Sequence, residues 1–279
     1  MLNETNIMKC IFCRFIILLT IFWLTACSTL DKPRLEKQRT FRITYADSAG
    51  QMISESWTKE KLEDLGMKTI PNEYFDRAMH WSESRFSAIN FSLLLNRFTL
   101  KRGQDAVLLN CFDDYQGILS LDDIYRYDLR LATKITLTPK NSKPDWLHPL
   151  LILVPDGKRP PFQERFMTAN IRELKFVRLK DYYAPLEKTA GSSSAAQEGV
   201  EVFKNNCLFC HSLKGRGGNK GKRLVEAYDF LAKKDRNKFV IDFKKFHHKN
   251  NTDKQDLEQF ITQKKLERII DYLVVIARS

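Results

Sequence analysis

The chain has 279 residues, of which 43% are hydrophobic, 11% aromatic and 29% charged. This balance supplies apolar material for folded cores and excludes disorder or low complexity over most of the length. Only 11 Gly and 9 Pro are present, which excludes collagen-like and Pro-rich architectures. At about 150 residues per domain, the length suggests two domains. A formal net charge of +12 points to an acidic partner or a negatively charged surface, with nucleic acid the first class to weigh.

The N-terminus argues against nucleic acid. Residues 15–26 form an apolar run that follows Lys9 and Arg14. A bilayer span needs about 20 residues, so the run reads as a secretory signal. It ends in Leu24-Thr25-Ala26-Cys27, which resembles the bacterial lipobox. That resemblance implies a signal peptide over 1–26, cleavage before Cys27 and lipidation of the Cys27 thiol. An uncleaved N-terminal anchor is the other reading. Ser28, rather than Asp, follows the Cys, and by the same resemblance this favours the outer membrane. The expected location is the periplasmic side of a bacterial cell envelope, lipid-anchored to the membrane and away from nucleic acid. Cys10 and Cys13 form a CxxC inside the signal and are discarded with it.

Residues 38–186 read as a β-rich α+β domain. Strand-like runs fall at 41–45, 106–111, 135–137, 150–154 and 174–179, separated by turn signals. Helical patches fall at 58–65 and 91–95. The stretch from Ala106 to Tyr115, then Leu119 to Ile124, then Trp146 to Val154, resembles the molybdopterin-binding fold of the sulfite oxidase superfamily. In catalytic members of that superfamily a Cys near this point ligates molybdenum, and Cys111 occupies a comparable place. An Arg- and His-rich pterin pocket is hard to find in this sequence, since His80 and His148 are the domain's only histidines. The expected state is therefore cofactor-free. Cys111 is then a buried thiol at a strand end, and Asp113-Asp114 and Asp122-Asp123 are turn and helix-cap residues.

A linker is expected over 187–195, rich in Gly and Ser. Ser194 and Gln197 have capping-box spacing, and a short helix follows through Gly199, Val200 and Phe203. It leads into Cys207-Leu208-Phe209-Cys210-His211. Two thiols three positions apart can bond to the two vinyl groups of one haem, and the next His sits beneath the iron as the proximal ligand. A disulfide oxidoreductase would need a βαβ context, and half of a zinc site would need two more ligands; no further Cys follows. Of the six Cys, only Cys111 is then unassigned, which excludes a disulfide scaffold.

The stretch from Gly199 to Gly221 resembles class I cytochromes c. The resemblance implies an all-α domain over 196–279 holding one haem c. Its first helix would cross the last at Gly199 and Phe203, and the last would run over 263–276 with Leu266, Ile269, Ile270 and Leu273 on one face, beside Tyr272. The Gly-rich segment 215–221 lacks the GxxxxGK[ST] order of a phosphate loop and becomes the loop beside the haem. The fold class expected for the whole chain is thus a β-rich domain of sulfite oxidase type joined to an all-α class I cytochrome c domain.

One departure concerns the sixth iron ligand. Those cytochromes supply a Met, and no Met follows Met167 here; Thr252-Asp253 stands where the Met-Pro pair is expected. The alternatives are His247 or His248, an open or water-ligated iron, or a Lys. From Ala196 to Ser279 there are 18 Lys and Arg against 11 Asp and Glu, a balance of +7. Lys214, Arg216, Lys220, Lys222 and Arg223 follow the motif, a ring suited to an acidic redox partner protein or an anionic membrane. No Ser-His-Asp set or catalytic carboxylate pair can be assembled. The reading is an electron-transfer protein rather than an enzyme. A molybdopterin-dependent oxidoreductase that feeds the haem, and a haem-based gas sensor, are the alternatives.

Overall fold

The computed structural model describes residues 40–144, 147–148, 150–247 and 261–279. The signal peptide with Cys10, Cys13 and Cys27, and also Trp146, His248 and Thr252-Asp253, lie outside the described residues.

The described residues open with β1 (Thr40–Ala46), β2 (Met52–Thr58), α1 (Lys59–Glu63), β3 (Lys68–Pro71), α2 (Glu73–Met79), β4 (Arg85–Asn90) and α3 (Phe91–Leu95). It continues with β5 (Ala106–Cys111), β6 (Gln116–Ser120), α4 (Leu121–Arg126), β7 (Arg130–Thr136), β8 (Leu151–Leu153), a 3-10 turn (Glu164–Met167) and β9 (Ile171–Val177). Helices α5 (Leu179–Ala190), α6 (Ser194–Asn206), α7 (Leu224–Ala227), α8 (Lys233–Phe246) and α9 (Gln263–Arg278) complete it. The strands form a five-stranded sheet, β2-β1-β9-β5-β6, and a four-stranded sheet, β3-β4-β7-β8. β1 runs parallel to β9, while β5 runs antiparallel to both β9 and β6.

Alternation along the strands builds three cores. On β5, Val107, Leu109 and Cys111 point between the sheets, where they meet Ile43, Leu174, Leu131 and Ile152. Phe86, Leu151 and Leu153 pack on the outer face of the four-stranded sheet beneath Phe75 and Met79 of α2. Ala106 and Leu108 of β5, with Ile118 of β6, point the other way, into the core shared by α5, α6 and α9. Burial on both faces explains why β5 reads as a nearly continuous apolar run.

This third core overturns the expected fold class. The chain is α+β with two sheets, and Phe41–Ser279 forms one compact unit rather than two domains. The C-terminal helices do not close a separate all-α cytochrome c domain, and the remainder is not a free-standing sulfite oxidase-type domain. Helix periodicity identifies an apolar face but not its cover, and here part of the cover is the sheet face of β5 and β6. Residues 187–195 carry the last turn of α5, the turn residues Gly191 and Ser192, the N-cap Ser193 and the first two residues of α6. Gly191 takes φ 61° there, and the N-cap of α6 is Ser193, one residue before the position expected for the capping box.

Candidate cofactor site

Helix α6 delivers the Cys-X-X-Cys-His motif. Its C-terminus winds on past Asn206: Cys207 N donates to Phe203 O at 2.9 Å, Cys210 N to Cys207 O at 3.1 Å, and His211 N to Cys207 O at 2.8 Å. Residues three apart on such a turn share a side, and Cys207 and Cys210 both line one cavity. The helix is fixed from behind by α9. A Cβ built on Gly199 would lie 2.1 Å from the Arg268 carbonyl oxygen and 2.7 Å from Tyr272 Cβ. Phe203 and Tyr272 pack edge to face beside this crossing, with centroids 6.0 Å apart. Tyr272 is fully buried and its hydroxyl donates to Leu186 O at 3.0 Å, which ties α5 to the pair.

The cavity measures about 330 Å³, within the range of roughly 300–1,000 Å³ usual for cofactor sites. Leu224, Tyr228, Phe239, Phe243, Leu266 and Ile269 give it mostly apolar walls, and Cys207, Cys210, His211 and His247 open onto it. His211 is tightly set. Its Nδ1 lies 2.7 Å from the Lys222 carbonyl, which can only accept, so Nδ1 carries a proton and, in the neutral ring, Nε2 carries the lone pair. A Cβ on Gly221 would come within 2.4 Å of the His211 ring, so only glycine lets that ring lie where it does.

His247 ends α8. Its Nδ1 lies 3.2 Å from Phe243 O, and its ring stacks on Phe243 at 4.6 Å and 14°. The His211 and His247 rings are 6.2 Å apart. His248, the alternative to His247, lies outside the described residues.

The Gly-rich loop is used internally. Gly217 N donates to Gln116 Oε1 at 3.2 Å and Tyr182 Oη at 2.9 Å. Gly218 N donates to Leu208 O, Asn219 N to Asp114 O, and Gly221 N to Cys210 O. Amides so committed cannot cradle a phosphate. The Tyr182 hydroxyl also donates to Gln116 Oε1, and burial pushes its pKa up to about 12. Of the five cations expected to ring the site, Lys220 and Lys222 line the cavity. Lys214 reaches Ser279 Oγ at 3.0 Å, Arg216 donates to Tyr182 O at 2.8 Å, and Arg223 pairs with Glu226 at 3.1 Å.

Cys111 does not fit a metal. Its thiol is 1% exposed, faces the core between the sheets and donates to Leu109 O at 3.6 Å. Burial raises its pKa well above the ordinary value. His80 caps α2 in the left-handed region, His148 Nδ1 lies 3.3 Å from Lys143 Nζ, and neither lines the cavity. Asp114 takes φ 67° in the β5–β6 turn, while Asp122 and Asp123 occupy the first turn of α4. Among the described residues no group of three or more His, Cys, Asp or Glu is placed to hold a metal ion.

Two parts of the cavity wall were not read as site residues from sequence: Tyr115, which was placed only within the Ala106–Tyr115 stretch, and Phe239 and Phe243 of α8. The four-residue spacing of Phe239, Phe243 and His247 was a signal for the latter, since it puts all three on one helix face.

No family model matches the chain, and no curated protein matches it. Among solved structures it is similar to the sulfane dehydrogenase SoxCD from Paracoccus pantotrophus, at 13% identity and a TM-score of 0.35. The match covers 53% of this chain and 41% of that one, so the chain spans less than half the length of the structure it matches. No helix among the described residues is long and apolar enough to cross a membrane.

Proposed function

We propose that the chain is a c-type electron-transfer protein that holds one haem through Cys207 and Cys210 and is lipid-anchored through Cys27 on the periplasmic side of a bacterial envelope. The observation that carries this reading is His211: a ring locked by Lys222 O and Gly221, with its lone pair on Nε2, in an apolar cavity shared with the two cysteines. A metal-bound His ordinarily donates its other ring nitrogen in this way, which fixes the tautomer and raises the basicity of the ligating nitrogen.

When bound, the haem supplies an iron that cycles between two oxidation states. The protein supplies attachment, ligation, burial and charge. Cys207 and Cys210 would hold the group covalently, and His211 would be the proximal ligand. His247, held by Phe243 on a second helix, would be the second iron ligand. Two imidazoles set a lower potential than an imidazole and a thioether. The apolar walls exclude water, and Lys220 and Lys222 present positive charge to an acidic redox partner.

The test is the visible spectrum of the exported protein, ferric and ferrous, with and without carbon monoxide. A low-spin six-coordinate spectrum that carbon monoxide leaves unchanged is expected. A high-spin spectrum that shifts with the gas would favour the sensor. Molybdenum bound to the purified chain would favour the oxidoreductase, against the burial of Cys111.

A further inference from the structure

The cavity is not built from the helices alone. Tyr115, at the end of the β5–β6 turn, is one of its lining residues. Its ring stacks on Phe209, inside the Cys-X-X-Cys pair, with centroids 5.0 Å apart and planes 24° apart. The backbone around it is pinned on two sides. Gln116 N donates to Phe209 O at 3.1 Å, and Asn219 N donates to Asp114 O at 2.8 Å. A Cβ on Gly218 would lie 2.2 Å from Phe209 O and 2.9 Å from Asp114 O, so loop and turn meet backbone to backbone. Cys111 N donates to Tyr115 O at 3.1 Å, which anchors the tyrosine to β5.

We infer that Tyr115 is a positioning residue of the cofactor site, supplied by the sheet: it forms the wall beside the attachment motif and limits the water that reaches the bound group. This rests on the haem reading above. A less shielded iron centre favours the more highly charged ferric state, so removing the wall lowers the potential.

The experiment is redox titration of haem-loaded protein carrying Tyr115→Phe or Tyr115→Ala, with Tyr272→Phe as a control for loss of stability alone. Tyr115→Phe keeps the ring and should leave the potential near wild type. Tyr115→Ala should raise the ferric-to-ferrous ratio at a given potential about tenfold, a downward shift of about 59 mV. Tyr272→Phe should lower the melting temperature without moving the potential. Where Tyr115→Ala yields no folded protein, Tyr115→Gln keeps more of the volume than Ala does, places an amide in the wall and should shift the potential the same way. A potential unchanged in the Ala variant, or in the Gln variant where that replaces it, overturns the proposal and leaves Tyr115 a packing residue. A wild-type chain without haem overturns the underlying reading instead.

Discussion

The imidazole rings of His211 and His247 lie 6.2 Å apart, centroid to centroid, with their planes inclined by 39°. Two metal–imidazole bonds of about 2.0 Å end to end, together with the two ring radii, come to roughly 6 Å. On the haem reading proposed above, His211 and His247 would be the two residues holding the iron, and their separation is of the size that needs. His247→Ala should open the sixth position: the ferrous protein should bind carbon monoxide and the ferric protein should turn high-spin. His248→Ala should leave both spectra as they are. The reverse pattern in absorption spectra would move the sixth ligand to His248.

The Gly199 crossing yields a stability prediction. An added methyl group meets the Arg268 carbonyl at 2.1 Å, and backbone cannot yield as a flexible side chain can. Gly199→Ala should destabilise by about 1–3 kcal/mol, the usual cost of overpacking. Chemical denaturation would measure it, and an unchanged midpoint would show that α6 and α9 slide apart freely.

Tyr272 links the same crossing to α5. Tyr272→Phe keeps the ring against Phe203 and removes the bond to Leu186 O. Leu186 O keeps its bond within α5, so the loss is of one hydrogen bond, about 0.5–1.5 kcal/mol. Thermal unfolding should show it as a lower midpoint.

A polar row crosses the five-stranded sheet from the Gly-rich loop. Gln116 Nε2 donates to Asn110 Oδ1 at 2.7 Å, and Asn110 Nδ2 donates to Glu173 Oε2 at 2.7 Å. Thr44 Oγ1 and Arg42 Nε reach Glu173 Oε1 at 2.8 Å and 3.2 Å. Burial pushes the Glu173 carboxyl up, but the bonds from Asn110 and Thr44 and the charge of Arg42 outweigh it and hold the pKa below the ordinary value. A depressed carboxylate pKa adds stability above the unfolded value, about 4.3, and this is lost as pH falls through the folded one. Wild type should therefore exceed Glu173→Gln in stability at neutral pH, and the gap should close below about pH 4. A gap independent of pH would mean that the charge of Glu173 plays no part.

Much of the site was legible in the sequence because it is local. The Cys207–His211 motif, the long last helix and the spacing of Leu266, Ile269 and Leu273 all follow from contacts within a few residues. β5 was found over its full length because burial on both faces leaves an apolar run. β2, β3, β4 and β6 were missed: β2, β3 and β6 lie at sheet edges, and β2, β3 and β4 carry mixed polar and apolar side chains. The two-domain division failed for another reason. Ala106, Leu108 and Ile118 show no sign in sequence that their partners are Leu186, Phe203 and Leu273. Tyr115 was missed on the same grounds: it reaches the attachment motif only through tertiary packing.

The most direct test of the central claim is the intact mass of the chain exported from cells able to attach haem, measured under denaturing conditions beside Cys207→Ser/Cys210→Ser. The account predicts a wild-type mass higher by one haem that survives denaturation, and a double variant without it. A wild-type chain at its bare polypeptide mass, with both thiols of the motif open to alkylation, would contradict it.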